Sequence, residues 1–197
     1  MTSRIAFLPL AALLATLAGC GSTPSSSFYG LSVVATPAAE GSNVSVQVGP
    51  VTVPASVDRP QIVVGTGTNQ YTLDEFNRWA SPLDEAIANA LAGDLAALLG
   101  SPHVTTSVSS IGDAGYRVGV QVHRFESRLD ASADFEAAWV VRRVADDRTL
   151  SGRTVVQQPA PGGYPGLAAA YSQAVGRLAA DVAAAVRQLE ATPAATK

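Results

Sequence analysis

Two histidines and three pairs of adjacent acidic residues are the side chains whose types suit acid–base or metal chemistry. His103 and His123 lie in neither an HExxH motif nor another paired-ligand spacing, and the chain has no second cysteine to complete a zinc site. His123 falls on the polar side of a predicted strand, where exposure to solvent explains it. The acidic pairs precede a helix, open a helix and form a turn, in the order Asp74-Glu75, Asp84-Glu85 and Asp146-Asp147. We therefore predict neither a catalytic site, a metal site nor a bound cofactor.

Cys20 is the only cysteine, and its surroundings point to acylation of its thiol. Arg4 is followed by an apolar run over residues 5–17, which is shorter than the roughly 20 residues of a membrane-spanning helix. The run ends in Leu-Ala-Gly-Cys, which resembles the bacterial lipobox, where the cysteine takes a diacylglycerol and a peptidase cuts ahead of it. The alternative is a buried or free cysteine that happens to follow an apolar run. We predict a cleaved signal peptide over residues 1–19 and lipidation at Cys20.

The residue after the cysteine and the segment that follows it bear on where the protein is held. Lipoproteins retained at the inner membrane of many diderm bacteria have Asp after the cysteine, whereas this chain has Gly21. Gly21 favours a lipid anchor in the outer membrane, facing the periplasm, over one in the inner membrane. Residues 20–27 are rich in serine, the composition of a flexible tether.

Charge and lysine usage exclude several classes of protein. The net charge is −3 at pH 7 and basic residues form no run, which argues against nucleic acid as a partner. The only lysine is Lys197, so the chain has no P-loop lysine to reach the phosphates of ATP. A pyridoxal Schiff base on a core lysine is excluded for the same reason.

Hydrophobic periodicity predicts an α+β domain. The first half contains strand patterns over residues 28–34, 44–48 and 61–64, with Pro50 and Pro54 marking an exit or an edge. Ser81 is placed to cap a helix that starts at Pro82, with Asp84 completing a capping box and Gly100 ending it.

The second half predicts a short strand over residues 103–109, an antiparallel meander and a final helix. The meander strands alternate from Tyr116, around Phe135 and over residues 149–156, and the last apolar stripe runs from Leu167 to Leu189. The predicted fold is a two-layer α/β domain, a mixed or antiparallel sheet with two amphipathic helices packed on it. We predict a single periplasmic domain over residues 28–191 and a disordered tail over residues 192–197.

Two segments are less ordinary than the rest, residues 51–63 and residues 75–87. The structural interpretation of Asp58-Arg59-Pro60 is a salt-bridged turn between strands, and that of Trp79 is a core side chain at the entrance of the helix.

These two segments, after a lipobox, resemble the ABC-type transport auxiliary lipoprotein family. Members show Val-Gly-Pro-Val, matched by residues 48–51, and Asp-Arg-Pro-Gln-Ile-Val, matched by residues 58–63. They also show Phe-x-Arg-Trp-Ala-x-Pro-Leu, matched by residues 76–83. The chain departs from the family at Ser56-Val57, where an aromatic residue and then leucine are common, and its C-terminal half matches only in pattern.

The resemblance implies a role that depends on partners. Such lipoproteins accompany an MCE-domain protein and an ABC transporter permease/ATPase complex that move hydrophobic molecules between the two membranes. It implies docking without catalysis, and a homo-oligomer would suit a partner with a central channel. The candidate contact residues are Asp58, Arg59, Pro60, Gln61, Arg78 and Trp79. Two alternatives stay open: a scaffolding lipoprotein without a transport partner, and a periplasmic carrier with its own lipid pocket.

Overall fold

The computed structural model describes residues 25–107 and 114–193. Cys20, the predicted signal peptide and residues 194–197 lie outside the described residues. The described elements are β1 (Ser27–Tyr29), β2 (Val46–Thr52), β3 (Gln61–Gly67), β4 (Gln70–Trp79), α1 (Leu83–Leu99), β5 (Val104–Thr105), β6 (Tyr116–Arg128), β7 (Ser132–Arg143), β8 (Thr149–Pro159) and α2 (Gly163–Ala191).

The long strand β6 organises the sheet. Along one edge β6 pairs antiparallel with β7, which pairs antiparallel with β8. Along the other edge it takes β2 in parallel near its start and β3 in parallel near its end. β4 pairs antiparallel with β3, while β1 and β5 join in parallel beside β4 and β2. β1 and β8 therefore lie at opposite edges of a mixed sheet.

Both helices lie in one layer that packs against the sheet. α1 lies against β2 and β5, α2 lies against β7 and β8, and the two helices contact each other. Their apolar stripes meet the inward side chains of the sheet, and Leu91, Val118, Phe135 and Tyr171 are fully buried between the layers. The predicted α+β fold is confirmed. Within the described ranges, neither helix has both the length and the hydropathy needed to span a membrane.

The two ends of α1 compare differently with the prediction. The predicted cap by Ser81 is wrong, because Pro82 itself occupies the N-cap position with extended backbone (φ −48°, ψ 136°) and no side chain caps the helix. The carbonyl of Pro82 accepts the first helical bond from Ala86 N at 2.9 Å. The predicted stop is confirmed, since Gly100 takes the left-handed conformation that glycine adopts readily (φ 62°, ψ 31°).

The predicted strands in the first half differ most from the structure. β1 covers three residues instead of the predicted 28–34 because it pairs only with the last three residues of β4. β4 was not predicted, since residues 65–69 indicated a turn and the following residues do not alternate. Gln61 pairs with Arg78 and Ile62 with Asp74, so a bulge over residues 75–77 disrupts the period of two. In the predicted strand 103–109, only Val104–Thr105 pairs, and residues 108–109 lie outside the described part.

Candidate docking surface

The turn before β3 is tied to the core by one side chain. The carbonyl of Pro54 accepts hydrogen bonds from the backbone N–H groups of Val57 (3.0 Å) and Asp58 (3.1 Å). Val57 is 7 % exposed and belongs to the core, whereas Asp58, Arg59 and Pro60 are exposed. Among the described residues, no ion pair involves Asp58 or Arg59, so the salt-bridged interpretation of this turn is wrong. The turn therefore exposes the opposite charges of Asp58 and Arg59 to solvent, while the buried side chain of Val57 holds its backbone in place.

The end of β4 lies directly beside this turn. The backbone N–H of Trp79 donates to the carbonyl of Pro60 at 2.7 Å, and Gln61 pairs with Arg78 across the β3–β4 ladder. Gln61 Nε2 donates to Glu75 Oε2 at 3.2 Å. The structure therefore brings the two segments of the predicted motif together at one surface.

Glu75 joins this surface, although it was not among the contact residues predicted from the sequence. Arg78 donates to the carbonyl of Glu75 at 2.8 Å and to its carboxylate at 3.3 Å. The two side chains are 36 % and 59 % exposed, so water screens the ion pair and its contribution to stability is small. Both charges stay accessible to a partner.

Trp79 lies in the core and not on the surface. It is 5 % exposed. Its indole ring packs in T-shaped contacts with Phe125 and Tyr171, at distances between ring centroids of 5.9 Å and 6.2 Å. Phe125 and Tyr171 stack at 3.7 Å with an angle of 8° between their planes. The interpretation of Trp79 as a core side chain is therefore confirmed. Within the motif, Trp79 fixes the backbone that carries Arg78.

The N-terminal segment enters the fold at the same motif. Phe28 pairs with Arg78 and Tyr29 with Trp79, and Ala80 N donates to the carbonyl of Tyr29 at 2.8 Å. β1 begins at Ser27, seven positions after Cys20 in the sequence. The predicted tether therefore reaches the domain beside the candidate surface.

A half-buried polar cluster holds the end of β4 to β1 and to the start of α2. Asp74 accepts hydrogen bonds from the Tyr164 hydroxyl (2.7 Å) and from the backbone N–H groups of Phe76 (2.8 Å) and Asn77 (2.9 Å). Tyr29 donates its hydroxyl to Asn77 Oδ1 at 2.7 Å. Burial by itself would raise the pKa of Asp74, but these hydrogen bonds outweigh it and lower the pKa below its ordinary value. Burial and the Asp74 carboxylate together raise the pKa of Tyr164 to about 12.

Sequence reasoning missed this cluster. It placed Asp74 and Glu75 ahead of a helix, where the dipole would favour them, whereas both lie on β4, with Asp74 paired to Ile62 and Glu75 in the bulge that follows. The partner Tyr164 lies 90 positions away along the chain, and no local pattern signals such a contact.

Four large apolar side chains are exposed on β1 and β4. Phe28 is 64 % exposed, Tyr71 57 %, Leu73 42 % and Phe76 41 %. We refer to these four as the β1–β4 apolar face. It adjoins Arg78 and Glu75, so the candidate surface has both apolar and charged parts.

The histidines do not converge with other potential ligands. His103 and His123 are both exposed, the first ahead of β5 and the second on β6. In residues 25–107 and 114–193, no three His, Cys, Asp or Glu side chains are grouped closely enough to hold a metal ion.

Comparison with known proteins finds one family and several relatives. The family described as "ABC-type transport auxiliary lipoprotein component" matches residues 29–183. The protein "Intermembrane transport lipoprotein PqiC" of Escherichia coli (strain K12) is 30 % identical over 129 residues, which are 64 % of this chain and 68 % of that protein. PqiC of Shigella flexneri matches with the same identity and coverage.

Two solved structures share the fold. One is a crystal structure of an uncharacterized protein, with a TM-score of 0.69 at 22 % identity, over 83 % of this chain and 99 % of that one. The other is a protein from Xanthomonas campestris, with a TM-score of 0.66 at 18 % identity, over 84 % of this chain and 100 % of that one.

Proposed function

Because this chain belongs to the ABC-type transport auxiliary lipoprotein family, we propose that it is the membrane-anchored docking component of a system that moves lipid between the inner and outer membranes. Its partners would be an MCE-domain protein and an ABC transporter permease/ATPase complex. The likeness to a protein named as an intermembrane transport lipoprotein supports this proposal. The energy source would lie on another chain, since the only lysine here is Lys197.

The anchor in this proposal is Cys20. Its thiol would carry a diacylglycerol, and further acylation of the new amino terminus would leave two or three chains in the membrane. Each buried methylene contributes about 0.8 kcal/mol, so two chains hold a protein stably. With Gly21 after the cysteine, we place the anchor in the outer membrane, with the domain in the periplasm.

One observation carries the docking role: the two motif segments meet, with Val57 and Trp79 buried and the charged side chains of both segments accessible to solvent. Val57 and Trp79 fix the turn and the end of β4 in the core, while Asp58 and Arg59 are exposed and Arg78 is half-buried. Charges held in fixed positions favour one partner geometry over others and speed encounter with a complementary surface. No covalent step is part of this role.

Affinity purification of the acylated protein from detergent-solubilised envelopes, followed by mass spectrometry, tests the proposal. We expect recovery of an MCE-domain protein with its permease and ATPase. Arg59→Glu reverses an exposed charge of the turn and should reduce this recovery. Arg177→Glu, at a 67 % exposed side chain on α2, is the matched control and should leave recovery unchanged.

The outcomes separate the alternatives. A folded R59E variant that recovers the partners as well as the original would show that the turn is not the contact surface. A protein that comes down alone even under gentle cross-linking would favour a scaffolding lipoprotein. Lipid bound to a purified, unacylated chain would favour a carrier.

A further inference from the structure

Exposed apolar side chains concentrate at one edge of the sheet. Among the described residues, eight large apolar side chains are exposed, and four of them form the β1–β4 apolar face. The docking role rests on the charged turn and on Arg78, and leaves these four side chains unexplained. Clustered apolar groups on a soluble domain mark a contact with another molecule or with a membrane.

Strand register shows that most of this surface points the same way. Directly paired residues project to one face of a sheet, and Leu73 pairs with Val63, Tyr71 with Gly65 and Phe28 with Arg78. Arg78 in turn pairs with Gln61, which lies on the same side of β3 as Val63 and Gly65. The alternate β3 residues, Ile62 and Val64, are buried. The surface therefore faces away from the core, with Phe76 in the bulge between its two halves.

The length of chain ahead of β1 limits how far this surface can be from the anchor. Phe28 follows Cys20 by eight positions, and eight residues span at most about 29 Å when fully extended. Val155, another exposed apolar residue, lies on β8 at the opposite edge. Five strand spacings, about 24 Å along the sheet, separate β1 from β8 through β4, β3, β6 and β7. An acylated Cys20 therefore keeps the β1 edge within about 29 Å of the bilayer, whereas the β8 edge lies five strand spacings farther along the sheet from the point where the tether enters.

We propose that the β1–β4 apolar face rests on the lipid surface of the membrane that holds the anchor. This inference depends on the proposed acylation of Cys20. The tether keeps the face at high local concentration over the bilayer, so a weak apolar contact is sufficient. Phenylalanine and tyrosine suit the boundary between headgroups and acyl chains, since a tyrosine ring has an apolar body and a polar end. The contact would orient the domain with its β8 edge toward the periplasm.

Quenching of a site-specific fluorophore by lipid tests this orientation. Acylation blocks Cys20, so Phe76→Cys or Tyr71→Cys gives the mature lipoprotein one free thiol for an NBD label. The labelled proteins are placed in vesicles of phosphatidylethanolamine and phosphatidylglycerol, with and without a nitroxide-labelled lipid. Val155→Cys is the control, because Val155 is also an exposed apolar residue on a strand, 64 % exposed against 57 % for Tyr71. Circular dichroism confirms that each variant is folded.

The label at position 76 or 71 should lose at least about half of its fluorescence in nitroxide vesicles, because interfacial side chains sit about 5–10 Å into the bilayer boundary. The label at position 155 should keep its fluorescence. Equal quenching at both positions would overturn the proposal. An unquenched label at position 76 would also overturn it, and a blue shift of that label would indicate that a second copy covers the face.

The failure of this inference is distinguishable from failure of the proposed function. The mass of the N-terminal peptide establishes acylation first, and an unmodified peptide would overturn both. With acylation present, quenching decides the membrane contact alone. Recovery of transport partners by the same protein decides the docking role, whatever the fluorescence shows.

Discussion

Asp94 shows how one buried carboxylate holds an irregular segment. After β1 the chain leaves the sheet, so its backbone N–H groups need partners outside a strand ladder. Asp94 is fully buried on α1, and its Oδ1 accepts hydrogen bonds from Val34 N at 2.7 Å and Ala35 N at 2.8 Å. Ser172 on α2 accepts another from Ser32 N at 3.0 Å. These bonds fasten the segment that follows the tether to both helices.

Asp94→Ala should lower the free energy of unfolding by about 2–4 kcal/mol, because it leaves two backbone N–H groups without an acceptor. Asp94→Asn should cost less, since its carbonyl oxygen can replace Oδ1. Urea denaturation measures both. Glu85→Ala, at an exposed acidic residue of the same helix, is the control. Equal stability of the D94A and E85A variants would show that the buried carboxylate does not fasten the segment.

At the scale of elements, the packing of β7 on β8 requires a glycine at position 152. Gly152 on β8 pairs with Trp139 on β7, and a Cβ at Gly152 would lie 2.8 Å from Cε2 of the indole ring. The ring has little freedom to move away, because its Nε1 donates to Thr154 Oγ1 at 3.2 Å. Thr154 in turn donates to Asp181 on α2 at 2.7 Å. Strand pairing, ring position and helix docking are linked at this point.

Gly152→Ala should reduce the free energy of unfolding by about 1–3 kcal/mol through overpacking against Trp139. Gly65→Ala is the matched control on β3, where the nearest atom to a new Cβ is the carbonyl oxygen of Ser127 at an ordinary 3.5 Å. Chemical denaturation should show a lower midpoint than that of the original protein for G152A, but not for G65A. A loss of the same size in both variants would indicate a general effect of alanine in these strands.

The elements that could be predicted are those whose evidence is local. The helices and the β6–β7–β8 meander follow from apolar periodicity within each segment, and the turns between them are short. β4 has no such signal, because its bulge over residues 75–77 breaks the alternation. β1 was predicted too long, because Leu31, Val33 and Val34 are apolar, but this stretch bonds to side chains of the helices instead of a strand partner.

The candidate surface was predictable only in part. The motifs identified Arg59, Gln61 and Arg78, and the structure brings their segments together through the β3–β4 pairing. The same motifs contain Trp79, which the fold buries, since a single sequence does not show on which side of a strand a motif residue lies. Tyr164 could not be connected to Asp74 because the contact depends on how α2 lies across the sheet.

At the scale of the whole molecule, α2 connects elements that are far apart in the sequence. The N–H groups of Gly162 and Gly163 at its start donate to Asp130 at 3.1 and 2.7 Å, and Tyr164 in its first turn reaches Asp74. Farther along, the Tyr171 hydroxyl lies 3.0 Å from Ser127 Oγ. At its end Arg143 donates to the carbonyls of Leu189 and Thr192. The helix thus ties β4, β6 and β7 into one unit that carries the candidate surface.

Burial of Tyr164 and its bond to Asp74 together make the stability of this unit sensitive to alkaline pH. The pKa of Tyr164 rises from 10 in the unfolded chain to about 12 in the fold, so the folded state retains the proton more strongly. The resulting stabilisation is complete below pH 10 and is lost as the pH rises toward 12. Tyr164→Phe removes the titrating hydroxyl. The free energy of unfolding of the Y164F variant should therefore fall less than that of the original protein between pH 10 and pH 12. Urea denaturation at a series of pH values measures this difference.

The comparison must be a difference between variants, because burial also raises the pKa of Tyr171 and so adds its own alkaline destabilisation to every curve. Subtracting the Y164F curve from that of the original protein cancels this shared contribution. Tyr71→Phe, at a tyrosine that is 57 % exposed on the same strand as Asp74, is the control for the loss of a tyrosine hydroxyl. If the original protein and Y164F lost stability in parallel between pH 10 and 12, the Tyr164–Asp74 bond would not connect α2 to β4 in solution. The junction beneath the candidate surface would then depend on apolar packing and strand pairing alone.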